Sequence, residues 1–358
     1  MSDRWDIPPS WQPALEAVRA PGVVMVLGAS DAGKSTLAAV LANAAVEAGR
    51  DVAIVDSDVG QSSIGPPTCV SMARVSRPVT ALSDLHAEGL DFVGTPSPVG
   101  HLLGFVASAA AMVQAARATG AETVLVDTTG LVEGPIAWAL KGNKLRLIDA
   151  DVVVALQHAD EVEHLLAPYR RRARPRVLRL TASRQVRPRS REQRTANRQR
   201  AFASYFAGGR AVALDWKRLA MENTAWTTGE VLPGHLQAHA ETVLGCEVLH
   251  AERGSEGLFL ITSGPPERAG LQELQDSYGR ATRTVEVALL QHLLVGLLGE
   301  SGETLSLGIL EHVDFRAQRL EVFTPLGETP RVCALRLGSI QIDREGTQLA
   351  WLDPGDLG

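Results

Sequence analysis

The segment from Gly28 to Thr36 constrains the fold of this chain more than any other. It reads Gly-Ala-Ser-Asp-Ala-Gly-Lys-Ser-Thr and so fits the phosphate-loop pattern G-x-x-x-x-G-K-[ST]. An apolar run of strand length, 23–27, precedes it, and residues 34–48, which are rich in helix formers, follow it. A strand, a glycine-rich loop and a helix in this order indicate a site for the phosphates of a nucleoside triphosphate.

Each residue type in this loop has a chemical task. The glycines let backbone N–H groups face the phosphates, Lys34 reaches the β and γ oxygens, and Ser35 is placed to hold Mg²⁺. The predicted nucleotide-binding residues are Gly28, Ser30, Asp31, Ala32, Gly33, Lys34, Ser35 and Thr36. An incidental glycine turn that happens to carry a lysine is the alternative.

The rest of the chain divides into two parts that differ in their pattern of apolar residues, glycines and prolines. Apolar runs that read as strands alternate with helical stretches in the first part, which favours a parallel sheet covered by helices. From about Gly208 onward, short alternating segments split by Gly and Pro are typical of a mainly β domain. The predicted strands are 23–27, 51–56, 91–94, 123–127, 151–156, 176–180, 257–262, 305–310 and 319–324, and the predicted helices include 34–48, 99–119, 135–148 and 190–206.

We therefore expect an α/β phosphate-loop fold with a doubly wound, mostly parallel sheet and a C-terminal mainly β domain. Its predicted parts are an N-terminal extension (1–21), a phosphate-loop domain (22–207) that includes an arginine-rich lid (about 184–206), and the β domain (208–358).

Composition excludes several classes of protein. The three cysteines are scattered and lack metal-ligand spacing, which argues against both a disulfide framework and a zinc site. No apolar run is long enough to span a bilayer, and residues 1–13 do not resemble a signal peptide. We expect a cytoplasmic protein with no membrane partner.

Charge is unevenly distributed along the chain. The stretch 170–200 contains thirteen arginines and a single acid, Glu192, so it carries +12 while the remainder carries −18. Such asymmetry favours an anionic partner at one place, either nucleotide phosphates or a nucleic-acid backbone. A solvated linker is the alternative for 170–176. That alternative is weaker for 190–206, where Arg194 and Arg198 share one face of a predicted helix.

Aspartates follow two of the predicted strands. Asp56 and Asp58 leave the strand 51–56, and Asp127 ends the strand 123–127 in the manner of a Walker B acid that holds Mg²⁺. A carboxylate accepts a hydroxyl proton only when it is positioned for in-line attack on the γ-phosphorus. We assign Asp58 as the base and Asp56 as a metal-side carboxylate. A capped turn and an ordinary core strand are the alternatives.

A stiff turn, Gly-Thr-Pro-Ser-Pro at 94–98, lies between a predicted strand and a long helix, where the hydroxyls of Thr95 and Ser97 can clasp a phosphate. An ordinary connecting turn explains it equally well. The guanine-reading N-K-x-D element of GTPases is missing, because Asn143-Lys144 is followed by Leu145-Arg146 inside a predicted helix.

Taken in order, these motifs resemble the polynucleotide 5′-hydroxyl kinase family, which includes the kinase subunit of the eukaryotic mRNA 3′-end cleavage factor, nucleolar rRNA-processing kinases and archaeal RNA kinases. The resemblance covers most of the chain from residue 22 onward. The segments that carry it are Asp31 within the phosphate loop, Asp56-x-Asp58-x-Gly60-Gln61, Gly65-Pro66-Pro67, Val70-Ser71, Gly94 to Pro98, Thr128-x-Gly130 with Gly134, a lid helix ending in Tyr205-Phe206, and the β-region segments 294–298, 307–309 and 324–325.

This resemblance implies ATP and Mg²⁺ as cofactors and the 5′-hydroxyl end of RNA or DNA as acceptor. Lys34, Ser35 and Thr36 would hold ATP and Mg²⁺, Asp58 would activate the hydroxyl, and Gln61 would help place the metal or the nucleic acid. Arg194 and Arg198 would neutralise the transferred phosphate, with Arg191 and Arg200 as competing registers. Substrate contacts are expected from Thr95, Ser97, Thr128, Thr129 and Gly130.

The chain departs from the family at one informative position. Eukaryotic members usually carry Trp after the Thr-x-Gly turn as a platform for the terminal base, and this chain carries Leu131. The predicted function is an ATP-dependent polynucleotide 5′-hydroxyl kinase. The alternatives are an ATP-binding assembly protein of the same family that transfers no phosphate, and a small-molecule kinase or GTPase.

Overall fold

The computed structural model describes residues 5–183, 185–279, 281–327 and 331–357. Residues 1–4 of the predicted extension and residue 184 of the predicted lid lie outside these ranges. So do residues 280, 328–330 and 358 of the predicted β domain. The chain forms two compact units that divide between Ala201 and Phe202. The predicted domain boundary at 207/208 stays a prediction.

Strands and helices alternate along the first unit. Its strands are β1 (Gly22–Leu27), β2 (Val52–Ser57), β3 (Cys69–Val75), β4 (Gly89–Phe92), β5 (Thr123–Thr128), β6 (Val152–Gln157) and β7 (Arg176–Thr181). Its helices are α1 (Gln12–Ala17), α2 (Lys34–Glu47), α3 (Leu102–Ala118), α4 (Gly134–Ile148), α5 (Glu163–Leu166) and α6 (Arg191–Phe206), the last of which ends in the second unit.

The strands of the first unit form one sheet in the order β4-β3-β2-β5-β1-β6-β7. The five strands from β2 to β7 in this order are mutually parallel, and β3 is antiparallel to both of its neighbours. The register of β2 and β5 pairs Asp56 with Asp127. The mostly parallel sheet predicted from the sequence is confirmed, and its register places two acids side by side at one end.

Alternation along the strands distributes apolar side chains to both faces of the sheet. On β1, Met25 belongs to the core that contains Phe105 of α3, while Val24 belongs to the core that contains Leu37 of α2. A strand buried on both faces requires an almost continuous apolar run, which is why β1, β2, β5 and β6 were visible in the sequence.

Two features of the sheet differ from the predictions. β3 was not predicted, because its sequence Cys-Val-Ser-Met-Ala-Arg-Val lacks a strong β signal and its position depends on pairing with β2. The strand predicted at 91–94 lies at 89–92, where it pairs with β3. In both cases the strand boundaries follow from a partner strand and not from local propensity.

In its described residues, the second unit contains two sheets and three α-helices that begin within it. Strands β10, β11, β12 and β13 form one sheet, and β18-β17-β14-β15-β16-β8, with β9 beside β17, form the other. Across the described ranges, none of the helices in either unit combines the length and the hydropathy needed to cross a membrane. The elements are β8 (Arg210–Asp215), β9 (Ala220–Glu222), β10 (Glu230–Val231), α7 (Gly234–Leu244), β11 (Val248–Arg253), β12 (Gly257–Thr262), α8 (Arg268–Tyr278), β13 (Ala281–Glu286), α9 (Val287–Leu290), β14 (Leu293–Leu298), β15 (Thr304–Asp314), β16 (Arg319–Thr324), β17 (Ala334–Ile342) and β18 (Gln348–Trp351).

Candidate phosphoryl-transfer site

The predicted phosphate loop connects the end of β1 to the start of α2. Asp31 (φ 56°) and Gly33 (φ 94°) have left-handed backbone conformations, which glycine adopts without steric cost. Lys34 is 7% exposed, and its Nζ donates to the carbonyl of Ala29 at 2.8 Å. The lysine amine therefore lies within the curve of the loop, where the pattern requires it for phosphate binding.

A cleft of about 450 Å³ opens beside this loop. It is lined by the phosphate loop, the loop after β2, the turn after β4, the turn after β5 and the residues that lead into α6. Open parallel sheets bind ligands at the carboxyl ends of their strands, as here. The cleft brings together the predicted residues Ser30, Asp31, Gly33, Lys34, Ser35, Thr36, Asp58, Gln61, Ser97, Thr129, Gly130 and Arg194.

The other predicted residues lie behind or beside the cleft. Within the described chain, those that contribute nothing to its lining are Gly28, Ala32, Asp56, Thr95, Asp127, Thr128 and Arg198. The Thr128 side chain is buried, and its hydroxyl donates to the carbonyl of Val26 at 2.8 Å. Arg198 lies one turn beyond Arg194 on α6, and burial lowers the pKa of its guanidinium.

Asp127, behind the cleft, contacts Ser35, which lines it. Asp127 Oδ2 accepts a hydrogen bond from Ser35 Oγ at 2.5 Å, and Oδ1 accepts one from the N–H of Thr128 at 2.9 Å. Burial raises the pKa of Asp127, although the positive charge of Lys34 and the Ser35 hydrogen bond oppose this rise. Carboxylate and hydroxyl oxygens are hard ligands of the kind that Mg²⁺ prefers.

Asp56 organises the loop that follows β2. Its Oδ1 accepts the N–H of Asp58 at 3.0 Å, and its Oδ2 accepts the N–H groups of Ser63 at 2.6 Å and Ile64 at 2.9 Å. Burial raises the pKa of Asp56 to about 7, and the charges of two neighbouring aspartates contribute to the rise. Both carboxylate oxygens are thus occupied by main-chain donors of one loop.

Asp58 stands at the front of this loop and lines the cleft. Its Oδ1 accepts the N–H groups of Gly60 at 3.3 Å and Gln61 at 3.1 Å. Gln61 Nε2 donates to the carbonyl of Arg194 at 3.0 Å, which ties the loop to α6. Among the described residues, the buried Gln61 Oε1 has no hydrogen-bond partner. Gln61 thus lines the cleft while its amide nitrogen is held by the main chain of α6.

Two arginines hold Asp31 of the phosphate loop. Arg189 donates to Asp31 through its backbone N–H and through Nε, each at 3.0 Å. Arg194 Nη2 donates to Asp31 Oδ2 at 2.6 Å. Burial alone would raise the pKa of Asp31, but the two arginines outweigh it and hold that pKa below its ordinary value.

Local capping explains why Arg194 reaches this position. The N–H of Gln193 donates to Ser190 Oγ at 3.2 Å, and the N–H of Ser190 donates to Gln193 Oε1 at 2.9 Å. This reciprocal pair is a capping box, which starts α6 at Arg191. Arg194 is thereby placed in the first turn of the helix, next to the phosphate loop.

A second cavity, of about 290 Å³, also opens beside the loop and shares Asp31, Gly33, Thr36 and Arg189 with the first cleft. Trp5, Trp11 and Arg187 line it, and Trp11 Nε1 donates to the carbonyl of Thr181 at the end of β7 at 2.9 Å. The N-terminal segment is therefore attached to the sheet near the nucleotide site.

Several residues near the cleft were missed from the sequence. Arg189 belongs to the arginine-rich segment, and nothing in that segment's pattern separates it from its neighbours. Lys141 and Lys144 are fully buried in α4, although lysines on a helix ordinarily indicate a solvated face. The signal that could have found the pair is their spacing of three residues on the apolar side of a helix that follows a Walker B strand.

Comparisons with known proteins agree with this geometry. The family model described as "mRNA cleavage and polyadenylation factor CLP1 P-loop" matches residues 28–208. A polyribonucleotide 5′-hydroxyl-kinase of Pyrococcus horikoshii is 30% identical over 95% of this chain and 91% of its own length, and one of Methanocaldococcus jannaschii is 29% identical over 92% and 90%.

Among solved structures, the wild-type Clp1p–Pcf11p (454–563) complex contains a chain that matches this one with a TM-score of 0.60 at 13% identity. The match covers 93% of this chain and 78% of that one, and it shows a shared fold. The family resemblance predicted from the sequence motifs is confirmed. With half of its length matched by the family model and a relative at 30% identity over nearly the whole chain, this protein belongs to the CLP1 P-loop family.

Proposed function

We propose that this protein transfers the γ-phosphate of ATP to the 5′-hydroxyl end of RNA. The observation that carries the proposal is a single cleft that contains the phosphate-loop lysine Lys34, the carboxylate of Asp58 and the guanidinium of Arg194. The names of the archaeal relatives support the same activity. Cytoplasmic location and the use of DNA as an acceptor stay predictions.

The reaction requires the cleft to align the reacting atoms and to compensate for the negative charge on the transferred phosphoryl group. The 5′-hydroxyl oxygen forms a bond to the γ-phosphorus while the bond from that phosphorus to the β,γ-bridging oxygen breaks, and ADP leaves with that oxygen. The hydroxyl proton passes to Asp58. Lys34 and Arg194 offset the negative charge on the transferred group, so the barrier falls through positioning and electrostatics.

The oxygen donors of Ser35 and Asp127 fit Mg²⁺. Ser35 Oγ and Asp127 Oδ2 are the oxygens assigned to it. When bound, Mg²⁺ supplies positive charge to the β and γ phosphate oxygens. Asp56 was predicted as a metal-side carboxylate, but its contacts with Ser63 and Ile64 favour a different assignment, in which it shapes the loop that presents Asp58.

The two cavities suggest how ATP is oriented. Lys34 acts on the β and γ phosphates, and Asp58 lies in the first cleft, so the γ-phosphate faces that cleft. The nucleoside then extends past Thr36 into the second cavity, between Trp5 and Arg187. Aromatic and guanidinium planes are suitable surfaces for a purine base.

Trp5→Ala tests this orientation of ATP. Because stacking on an aromatic side chain contributes about 1–3 kcal/mol per base, the Kd for ATP should rise about tenfold. The Kd for inorganic tripolyphosphate, which has no base, should not change. Titration calorimetry measures both, and Trp351→Ala, at an exposed tryptophan of the second unit, is the control. An equal loss for both ligands would contradict this orientation.

Transfer of labelled γ-phosphate from ATP to 5′-hydroxyl RNA and DNA oligonucleotides of the same sequence tests the function itself. We expect labelled RNA with the wild-type protein and none with Lys34→Ala, which serves as the control for contaminating kinases. ATP binding without transfer to either oligonucleotide would instead favour an assembly protein of the same family.

A further inference from the structure

Helix α4 carries two lysines in a position that is unfavourable for a charged side chain. Lys141 and Lys144 are both 0% exposed. Burial lowers the pKa of Lys141 well below its usual value, with the nearby charges of Lys144 and Lys34 contributing. Burial also lowers the pKa of Lys144, to about 8, although three aspartates oppose this. Lysine is almost never fully buried unless its amine has partners that compensate for lost water.

The partners of Lys141 belong to the last residue of β5 and to the turn that follows it. Its Nζ donates to Thr128 Oγ1 at 2.9 Å and to the carbonyl of Thr129 at 2.5 Å, and it lies 3.5 Å from Thr129 Oγ1. Among the described residues, no carboxylate lies within 4 Å of its amine. Lys144 makes a longer contact, 3.4 Å, to the carbonyl of Ser57 at the end of β2. Lys141 is thus the one of the two that holds the Thr128–Gly130 turn.

This turn lies against the phosphate loop. A Cβ added to Gly130 would lie 2.5 Å from Ser30 Cα and 2.6 Å from the Ser30 nitrogen, distances at which only glycine fits. Thr129 and Gly130 also line the cleft. A displacement of the turn would therefore change the wall of the cleft and its distance from the phosphate loop.

We propose that Lys141 is a positioning residue for phosphoryl transfer, whose amine fixes the Thr128–Gly130 turn against Ser30 and thereby sets the distance between the acceptor side of the cleft and the phosphate loop. The proposal rests on the kinase function proposed above. It explains why a lysine occupies this place: the four-carbon stem fills apolar space while the amine satisfies several oxygens of one turn. A leucine or methionine would fill the same space without fixing the turn.

Lys141→Met tests the proposal, because methionine replaces the stem and removes the donor. We expect the melting temperature to change little, because removing a buried amine offsets the hydrogen bonds lost at Thr128 and Thr129. The kcat for transfer at saturating ATP and RNA should fall about 100-fold, the effect expected when reacting groups are misplaced by about 1 Å. The Kd for ATP should change less than about threefold, because Lys34 and Ser35 are untouched.

Leu145→Ala is the matched control on the same helix, since Leu145 is 4% exposed and removing its side chain creates a cavity without removing a donor. It should lower the melting temperature while kcat per folded molecule stays at the wild-type value. If Lys141→Met behaves in the same way, Lys141 has only a structural role and the proposal is overturned.

Hydrogen exchange keeps the test independent of the kinase function. In Lys141→Met the backbone amides of 128–131 should exchange faster than in the wild type, while those of β1 and of residues 123–127 in β5 stay protected. Wild-type protein that transfers no phosphate would refute the proposed function, and the exchange result would still decide whether Lys141 fixes the turn. Unchanged protection at 128–131 would refute the proposal on Lys141 alone.

Discussion

Asp58→Asn should lower kcat for phosphate transfer about 1000-fold, within the range expected for loss of a general base. Asparagine keeps a side-chain oxygen that can accept the N–H groups of Gly60 and Gln61, so the loop after β2 should retain its shape. The amide cannot take the hydroxyl proton. ATP affinity should change little, since Asp58 lies outside the phosphate loop.

Single-turnover transfer of labelled phosphate and calorimetric titration with ATP measure the two effects separately. Asp51→Asn provides a matched control, because Asp51 precedes the same strand at the opposite end of the sheet and pairs with Arg74 at the surface. The control should transfer phosphate at the wild-type rate. A parallel loss of ATP binding and transfer in Asp58→Asn would identify Asp58 as a nucleotide or metal ligand instead.

Arg194→Ala should lower kcat at least about 1000-fold, as in other phosphate-loop enzymes that lose an arginine facing the transferred phosphate. The phosphate loop itself should be preserved, because Arg189 still holds Asp31 through two hydrogen bonds of 3.0 Å. Gln61 should also keep its contact with α6, since it binds the carbonyl of residue 194 and not the side chain. The defect should therefore lie in transfer and not in ATP binding.

Arg191→Ala is the control for Arg194→Ala, since Arg191 is the exposed first residue of the same helix. It should leave kcat within about threefold of the wild-type value, as expected for a surface substitution. Steady-state kinetics with saturating RNA compare the two variants. A large loss of kcat in Arg191→Ala together with a small loss in Arg194→Ala would indicate that Arg191, and not Arg194, faces the transferred phosphate.

The phosphate loop was predictable because its chemistry is local. A β-branched run, a glycine-rich turn and a run of helix formers each determine their own backbone, and together they place Lys34 and Ser35 within one segment. Asp127 was predictable for a similar reason, since an acid at the end of a buried strand must lie at the carboxyl edge of a parallel sheet.

The sequence could not distinguish the environments of Asp56 and Asp58. Asp56 and Asp58 are two residues apart and equally acidic in the sequence, yet Asp56 is 1% exposed and bound by the main chain, whereas Asp58 lines the cleft. The difference arises from the path of the loop through Ile64. That path depends on how the whole segment packs, which no spacing rule describes.

The sequence by itself determined most of the strands and helices in the first unit, the nucleotide loop and the family to which the chain belongs. Only the tertiary structure decided that Lys141 contacts Thr129, that Gln61 contacts Arg194 and that Trp11 contacts the end of β7. Local patterns encode backbone conformation through sterics and periodicity. Contacts between segments far apart in the chain depend instead on which polar groups are buried next to one another and must form hydrogen bonds. Only the packing of the whole domain determines this.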